Sequence, residues 1–289
     1  MRPSQNLIWL ASFPKSGNTW TRAFLANFFA PKGRKISINE LRAITTTDTR
    51  QDWYDKAAGK PFVGRTFDDA ILLRPKIQRM ISAAAAPNNQ FVKTHSKLDR
   101  IGPVDLILPE VTAAAICIIR NPFDVAQSYA RHMGLTLDET IGKMCDAKAV
   151  TTSETNIFEV LGRWDHHIDS WLSAPGLTRH VMRYEDMIAD PEKAFRGMLG
   201  FLKVPMNDGK LRRAIRESSF KALQKQEQEL GFRERPNVME RFFASGTSGT
   251  WRDALTPAQV ARIRSEFLPT LEKHWPEMLE DTAEMAAKA

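Results

Sequence analysis

Apolar runs of strand length alternate along this chain with stretches of helical periodicity. Leu7–Ser12 is almost wholly apolar and reads as a buried strand. It breaks at Phe13-Pro14-Lys15-Ser16-Gly17, and Leu25, Phe28 and Phe29 then predict a helix from Asn18 to Phe29. Ser37 with Glu40 forms a capping box for a short helix. Residues 46–65 are polar and irregular, and Phe67–Ala85 reads as a helix. Gln90–His95 is a short strand, and Val111–Ile119 is the clearest buried strand of the chain. Asn121 as N-cap and Pro122 at the first helical position open a helix to Met133. Thr152–Trp171 reads as one long amphipathic helix, and Arg179–Tyr184 as a strand. Helices follow over Pro191–Leu202, Asp208–Glu217 and Phe220–Leu230. Residues 231–250 form a loop, Pro257–His274 is the last helix with Thr256 as N-cap, and the tail Glu277–Ala289 is frayed.

This alternation predicts a single α/β domain over residues 1–289, a central parallel sheet flanked by helices. There is no repeat, low-complexity tract or Gly/Ser linker to divide it. In such a sheet, ligands sit beyond the carboxyl ends of the strands. The residues just after each strand therefore carry the functional question.

Composition narrows the partners. No stretch approaches the ~20 apolar residues that span a bilayer. The opening residues lack a signal-peptide pattern, and Cys117 and Cys145 show no metal spacing, so a cytoplasmic protein with reduced thiols is expected. The net charge is +7, with basic residues scattered rather than in blocks. That pattern points to an anionic small molecule and away from nucleic acid.

Strand, glycine-containing turn, helix is the architecture of an anion cradle. Backbone N–H groups of the turn converge on one anion, with the helix dipole behind them. Ser16, Asn18 and Thr19 add donors there, and Lys15 adds a charge. The spacing is not GxxxxGK[ST], so the Lys-Ser/Thr pair that serves a nucleoside triphosphate with magnesium is missing. A second anion site is predicted where Arg120 ends the strongest strand and Ser128 follows on the next helix. One ligand with two anionic ends would explain both sites. Lys93 and His95 project from one face of their strand, which makes His95 the candidate general base. The other five histidines, His132, His166, His167, His180 and His274, read as structural or surface residues.

Together these segments resemble the cytosolic-type sulfotransferase family. Phe13-Pro14-Lys15-Ser16-Gly17-Asn18-Thr19-Trp20 resembles its 5′-phosphosulfate loop, YPKSGTTW. Arg120 through Tyr129 resembles its 3′-phosphate motif, RNPKDVAVSYY, and Lys93-Thr94-His95 its KTH. Tyr184-Glu185-Asp186-Met187 resembles YEDM, Ser218-Ser219-Phe220 resembles TSF, and Gly246–Trp251 resembles the distal RKGxxGDW loop. The matches run in the family's order from residue 7 to about 256.

The resemblance implies a P-loop-like, nucleotide-kinase-like sulfotransferase fold. It implies transfer of a sulfuryl group from 3′-phosphoadenosine 5′-phosphosulfate (PAPS) to a hydroxyl or amine, leaving 3′-phosphoadenosine 5′-phosphate (PAP). His95 would act as base, Lys15 would stabilise the leaving oxygen and Lys93 would hold the sulfuryl oxygens. Lys15, Ser16, Gly17, Asn18 and Thr19 would bind the cofactor at its 5′ end, with Trp20 beside the adenine as a stacking face. Arg120 and Ser128 would bind its 3′-phosphate, with Tyr184, Ser218 and Phe220 around the adenine and Gly246 of the distal loop also at the cofactor. No metal is implied.

Some positions depart from the family pattern; Asn18 replaces a Thr of the first loop and keeps a side chain able to hydrogen-bond phosphate. Ala244-Ser245 stands where the family has the Arg-Lys pair that reaches the 3′-phosphate, and Thr250 stands for the Asp before the distal Trp. Arg241, or another basic residue, is the candidate to replace the missing cations. No copy of the dimerisation motif of some animal members is present, and a homodimer is neither indicated nor excluded. Trp53, Tyr54, Phe62 and Phe67 suggest a hydrophobic or aromatic acceptor, with the core as their other destination. The alternative activity is a small-molecule kinase using ATP and magnesium. A non-enzymatic nucleotide- or nucleic-acid-binding protein ranks below both.

Overall fold

The computed structural model describes residues 5–63, 66–153 and 156–289. Its strands are β1 (Leu7–Ala11), β2 (Thr45–Thr47), β3 (Gln90–Thr94), β4 (Arg100–Ile101), β5 (Val104–Asp105), β6 (Thr112–Ile119), β7 (Val150–Ser153), β8 (Asn156–Val160) and β9 (Arg179–Arg183). Its first seven α-helices are α1 (Asn18–Phe29), α2 (Gln51–Ala58), α3 (Phe67–Ala85), α4 (Pro122–Met133), α5 (Leu137–Met144), α6 (Trp164–Leu172) and α7 (Tyr184–Ala189). They are followed by α8 (Pro191–Phe201), α9 (Asp208–Glu217), α10 (Phe220–Leu230), α11 (Pro257–Glu266), α12 (Leu268–His274) and α13 (Pro276–Ala286).

Five strands form one sheet in the order β2-β3-β1-β6-β9, and every pairing is parallel. The fold is the α/β architecture expected from the alternation. β1 pairs with β3 on one side and β6 on the other, so the chain order reverses across it. That reversal places the topological switch point at the turn after β1. All five residues of β1 are buried, which is why its sequence shows no polar alternation.

The sheet is covered on both faces. Phe24, Leu25 and Phe28 of α1 pack with Ile116, Ile118 and Phe195 on one face. Trp9, Val92 and Cys117 pack with Ile77 and Ile81 of α3 on the other. Just past the carboxyl end of β2 lies a fully buried ion pair, Arg74 Nε to Asp48 Oδ2 at 2.9 Å. Gln78 Nε2 also donates to Asp48 at 2.8 Å, and Arg74 Nη2 donates to Ser96 Oγ at 2.8 Å.

Four expectations need correction. The segment read as a helix from Thr152 is a β-hairpin, β7–β8, and the helix begins only at Trp164. Gly162, at φ 63°, turns the chain between them. Residues 46–65, expected to be irregular, contribute β2 and α2. Both expectations also run over residues outside the described set, 64–65 and 154–155. The last helix divides at Phe267, because Pro269 has no N–H for the carbonyl four residues back. The tail is helical as α13, with Met278 and Thr282 buried.

Candidate active site

The loops after β1, β3 and β6 open into one cleft of about 620 Å³. Lys15, Gly17, Asn18, Thr19 and Trp20 line it from the turn after β1. Lys93 and His95 line it from β3, and Arg120 and Ser128 from the end of β6 and α4. Tyr184, Phe220 and Gly246 complete the side beyond β6. The two remaining expected residues, Ser16 and Ser218, lie beneath the surface. Ser16 is 1% exposed, and Ser218 Oγ donates to the Ala214 carbonyl at 2.7 Å.

The cradle is built by unusual backbone. Lys15 has φ 68° and Gly17 φ 111°, so two left-handed residues turn the amides of the loop inward at the start of α1. A Cβ on Gly17 would also stand 2.9 Å from the Tyr184 ring, so glycine is required for both conformation and space. Ser16 Oγ and Arg120 Nε are buried with no partner among the described residues. Buried donors without acceptors are costly unless a ligand completes them. An anion at this turn would do so.

Arg120 crosses the site. Its Nη1 donates to the Lys15 carbonyl and its Nη2 to the Thr247 carbonyl, both at 3.2 Å. Its guanidinium lies 4.1 Å from the centre of the Tyr184 ring. Trp20 meets the same ring edge-on at 6.0 Å. A Cβ on Gly246 would fall 2.1 Å from the Phe220 ring, so only glycine lets the distal loop lie against that aromatic.

The distal loop is docked despite its altered sequence. Ser248 Oγ donates to Asp124 at 2.7 Å, and the Gly249 amide donates to the same carboxylate. Thr250 Oγ1 donates to Gln127 Oε1 at 2.6 Å. In the family motifs these two positions hold Asp and Val, so the departures at Thr250 and Gln127 pair with each other. Arg241 is not among the residues lining the cleft, whereas Arg131 is.

His95 is held at three points. Its Nδ1 lies 2.7 Å from the Ser12 carbonyl, which only accepts, so Nδ1 carries the hydrogen and Nε2 is bare. Its backbone N–H donates to Glu159 at 3.0 Å, and its carbonyl accepts from His167 Nε2 at 3.1 Å. Burial, with the neighbouring Lys93 charge, lowers its pKa to about 4, so the imidazole is neutral at physiological pH. Lys93 Nζ lies 3.3 Å from both oxygens of Glu159. Glu159 is buried, yet Lys93 and the His95 amide hold its pKa down at about 2. Lys15 Nζ lies 3.8 Å from the centre of the Phe242 ring. Burial there and the Arg120 and Arg131 charges lower its pKa to about 7.

Sequence reasoning missed Glu159, because its strand was read as helix. It also set aside His132 and His167. His132 lines the cleft with Nδ1 buried and unpartnered among the described residues, and burial lowers its pKa to about 3. Trp53, Tyr54, Phe62 and Phe67 do not line the cleft; Tyr54 and Phe62 are buried in the core, where Trp53 and Phe67 pack against it.

Among the described residues no group of three or more His, Cys, Asp or Glu is placed to hold a metal. Nor is any helix there long and apolar enough to cross a membrane.

The cleft thus brings together an anion cradle at the switch point, a neutral histidine and a second guanidinium site. The sulfotransferase domain family matches residues 5–274, and the chain belongs to that family and is a sulfotransferase. Cytosolic sulfotransferase 10 of Arabidopsis thaliana is 24% identical over 281 residues, 91% of this chain and 77% of the relative. Flavonol 3-sulfotransferase of Flaveria bidentis is 22% identical over 275 residues, 89% of this chain and 79% of the relative. A mouse sulfotransferase solved with PAP shares the fold at a TM-score of 0.61 and 18% identity, over 99% of this chain and 90% of that one. Retinol dehydratase, solved with retinol and PAP, does so at 0.60 and 17%, over 94% and 82%.

Proposed function

We propose that the chain transfers a sulfuryl group from PAPS to the hydroxyl of a small acceptor, with His95 as general base. The observation that carries this reading is the His95 imidazole, fixed as the Nδ1–H tautomer with Nε2 free beside two anion sites. PAPS would supply the sulfuryl group and a phosphate that leaves with the electron pair of the broken S–O bond. Nε2 of His95 takes the acceptor proton as its oxygen attacks sulfur. Lys15 and the loop amides stabilise the charge that develops on the departing phosphate oxygen. Lys93 holds the equatorial sulfuryl oxygens, and Glu159 keeps Lys93 extended toward them.

Arg120, Ser128 and Arg131 bind the 3′-phosphate in this reading. Arg131 follows Ser128 at helical i,i+3 spacing, which puts both on one side of α4. It supplies the charge that Ala244-Ser245 lacks. Tyr184, Trp20 and Phe220 flank the adenine. Met133, Val238, Met239 and Phe242 offer an apolar wall to the body of the acceptor. The structures solved with PAP in the same fold support the choice of donor.

The test is calorimetry with PAP in the absence of metal, beside ATP with magnesium. Tight binding of PAP and weak binding of ATP is the expected result. The reverse preference would overturn PAPS as the donor and with it the reading of both anion sites.

A further inference from the structure

The cleft holds more positive charge than the donor uses, and the excess is not evenly placed. Lys15, Arg120 and Arg131 serve the donor's two anionic ends. On the other side, toward β2 and β3, the lining carries Arg22, Arg42, Arg50, Lys93, Arg233 and Arg235. The acidic lining residues are Glu159 and Glu234.

Three of these cations face carboxylates. Lys93 faces Glu159, Arg50 faces Asp52 at 2.5 Å, and Arg22 makes two 2.8 Å bonds to Glu234. Arg233 and Arg235 face none among the described residues. The Arg235 Nη1 donates at 2.5 Å to the backbone carbonyl of Glu240, which leaves its charge uncompensated. Glu234 sits between these two arginines in sequence. Arg22 and, through space, Lys93 and Arg42 hold its carboxyl at a pKa of about 2, a measure of how positive this end of the cleft is.

The location of this end follows from hydrogen bonds. The Arg233 amide donates to Asn39 Oδ1 at 2.9 Å. Arg22 Nε donates to Thr45 Oγ1 at 3.0 Å, and Thr45 pairs in register with Phe91, two residues before Lys93. The Glu234–Arg22 bridge thus pins residues 233–235 to the edge of the sheet that carries Lys93 and His95. Arg120 and Tyr184 stand across β1 from it. The uncompensated charge lies on the side where an acceptor must approach His95.

We propose that the acceptor is an alcohol or phenol that also bears an anionic group, a carboxylate or a phosphate, received by Arg233 and Arg235 at the mouth of the cleft. The inference rests on the sulfotransfer reading with His95 as base. An exposed pair of guanidiniums recognises such a group through charge-assisted hydrogen bonds, and Arg22 to Glu234 already shows the geometry in this loop. The field of the same residues steers anionic acceptors into the cleft and repels cationic ones.

The experiment uses three phenols that differ in the charge of the tail: 4-hydroxyphenylacetate, 2-(4-hydroxyphenyl)ethanol and tyramine. The full chain is first titrated with PAP, then each phenol is titrated into the PAP-loaded protein. The carboxylate is expected to bind about tenfold tighter than the neutral alcohol, and the amine weakest. In the R233S/R235S double variant the three affinities should converge to within about twofold, while PAP affinity stays within about threefold. Equal affinities in the parent protein, no measurable binding of any of the three, or a preference that survives the double substitution would overturn the inference. Failure of PAP itself to bind appears in the first titration and overturns the donor assignment instead.

Discussion

The ammonium of Lys15 rests on the face of Phe242, 3.8 Å from the ring centre, in a loop more than two hundred residues away in sequence. The contact is favourable to the cation, but the burial that comes with it is not, and burial dominates. Lys15 therefore loses its proton near pH 7 in the free protein. A phosphosulfate beside it would restore the charge.

Binding of PAP at pH 8 should accordingly take up a proton. Calorimetry in two buffers of different ionisation enthalpy measures it, and K15M should abolish the uptake. The sign follows from the lowered pKa: above about 7 the free lysine is neutral, so kcat/KM for PAPS should fall as pH rises through that value. F242A, which lets water reach Lys15, should move that fall to higher pH. An unchanged limb in F242A would mean the ring does not set the lysine's environment.

The base has its own limb. His95, with a pKa of about 4, is neutral across the physiological range, and activity should fall only as pH drops toward that value. H95A should lower kcat by about 10²- to 10⁴-fold with PAP affinity little changed. Turnover close to the parent's would remove His95 from the chemistry.

Arg131 is expected to carry part of the 3′-phosphate contact. R131A should weaken PAP binding by about five- to tenfold, the scale of one partly exposed charge-assisted contact. Adding A244R to that variant should recover much of the loss, because it restores a cation at the family's usual position. Undiminished affinity in R131A would leave Arg120 and Ser128 to hold the phosphate alone.

The Arg74–Asp48 pair is predicted to matter for stability rather than for binding. Both side chains are fully buried, so D48N leaves a guanidinium without its counter-charge and should cost about 3–5 kcal/mol, read from denaturant midpoints. Replacing both, as R74M/D48L, should recover most of that cost, since an apolar pair of similar volume needs no compensation. The same midpoint in D48N and the parent would contradict the pairing.

Much of the site was legible in the sequence because its parts are local. The turn after β1, the end of β3 and the entry to α4 each announce themselves within about ten residues, through a strand that stops, a glycine or an N-cap. What was not legible depends on partners far away. Glu159 matters because β8 lies beside His95, and nothing near Glu159 in sequence says so. Trp164, Ile168 and Trp171 do repeat at helical spacing, and extending that pattern backward to Thr152 hid the hairpin. Trp53, Tyr54, Phe62 and Phe67 looked like a binding surface and proved to belong to the core, since an aromatic run does not tell which face the sheet will bury. Arg131 was passed over for Arg241, which is nearer the altered loop in sequence and outside the cleft in space.

The position of β1 has a kinetic consequence. It is the middle strand of the sheet and precedes the other four in sequence, and its partners begin at Gln90 and Thr112. A nascent chain must therefore hold the wholly apolar Leu7–Ala11 without either partner until Gln90 has been made, and without the second until Thr112. Contacts this distant in sequence slow folding, and an apolar strand that waits for its partners is open to misassociation in the meantime.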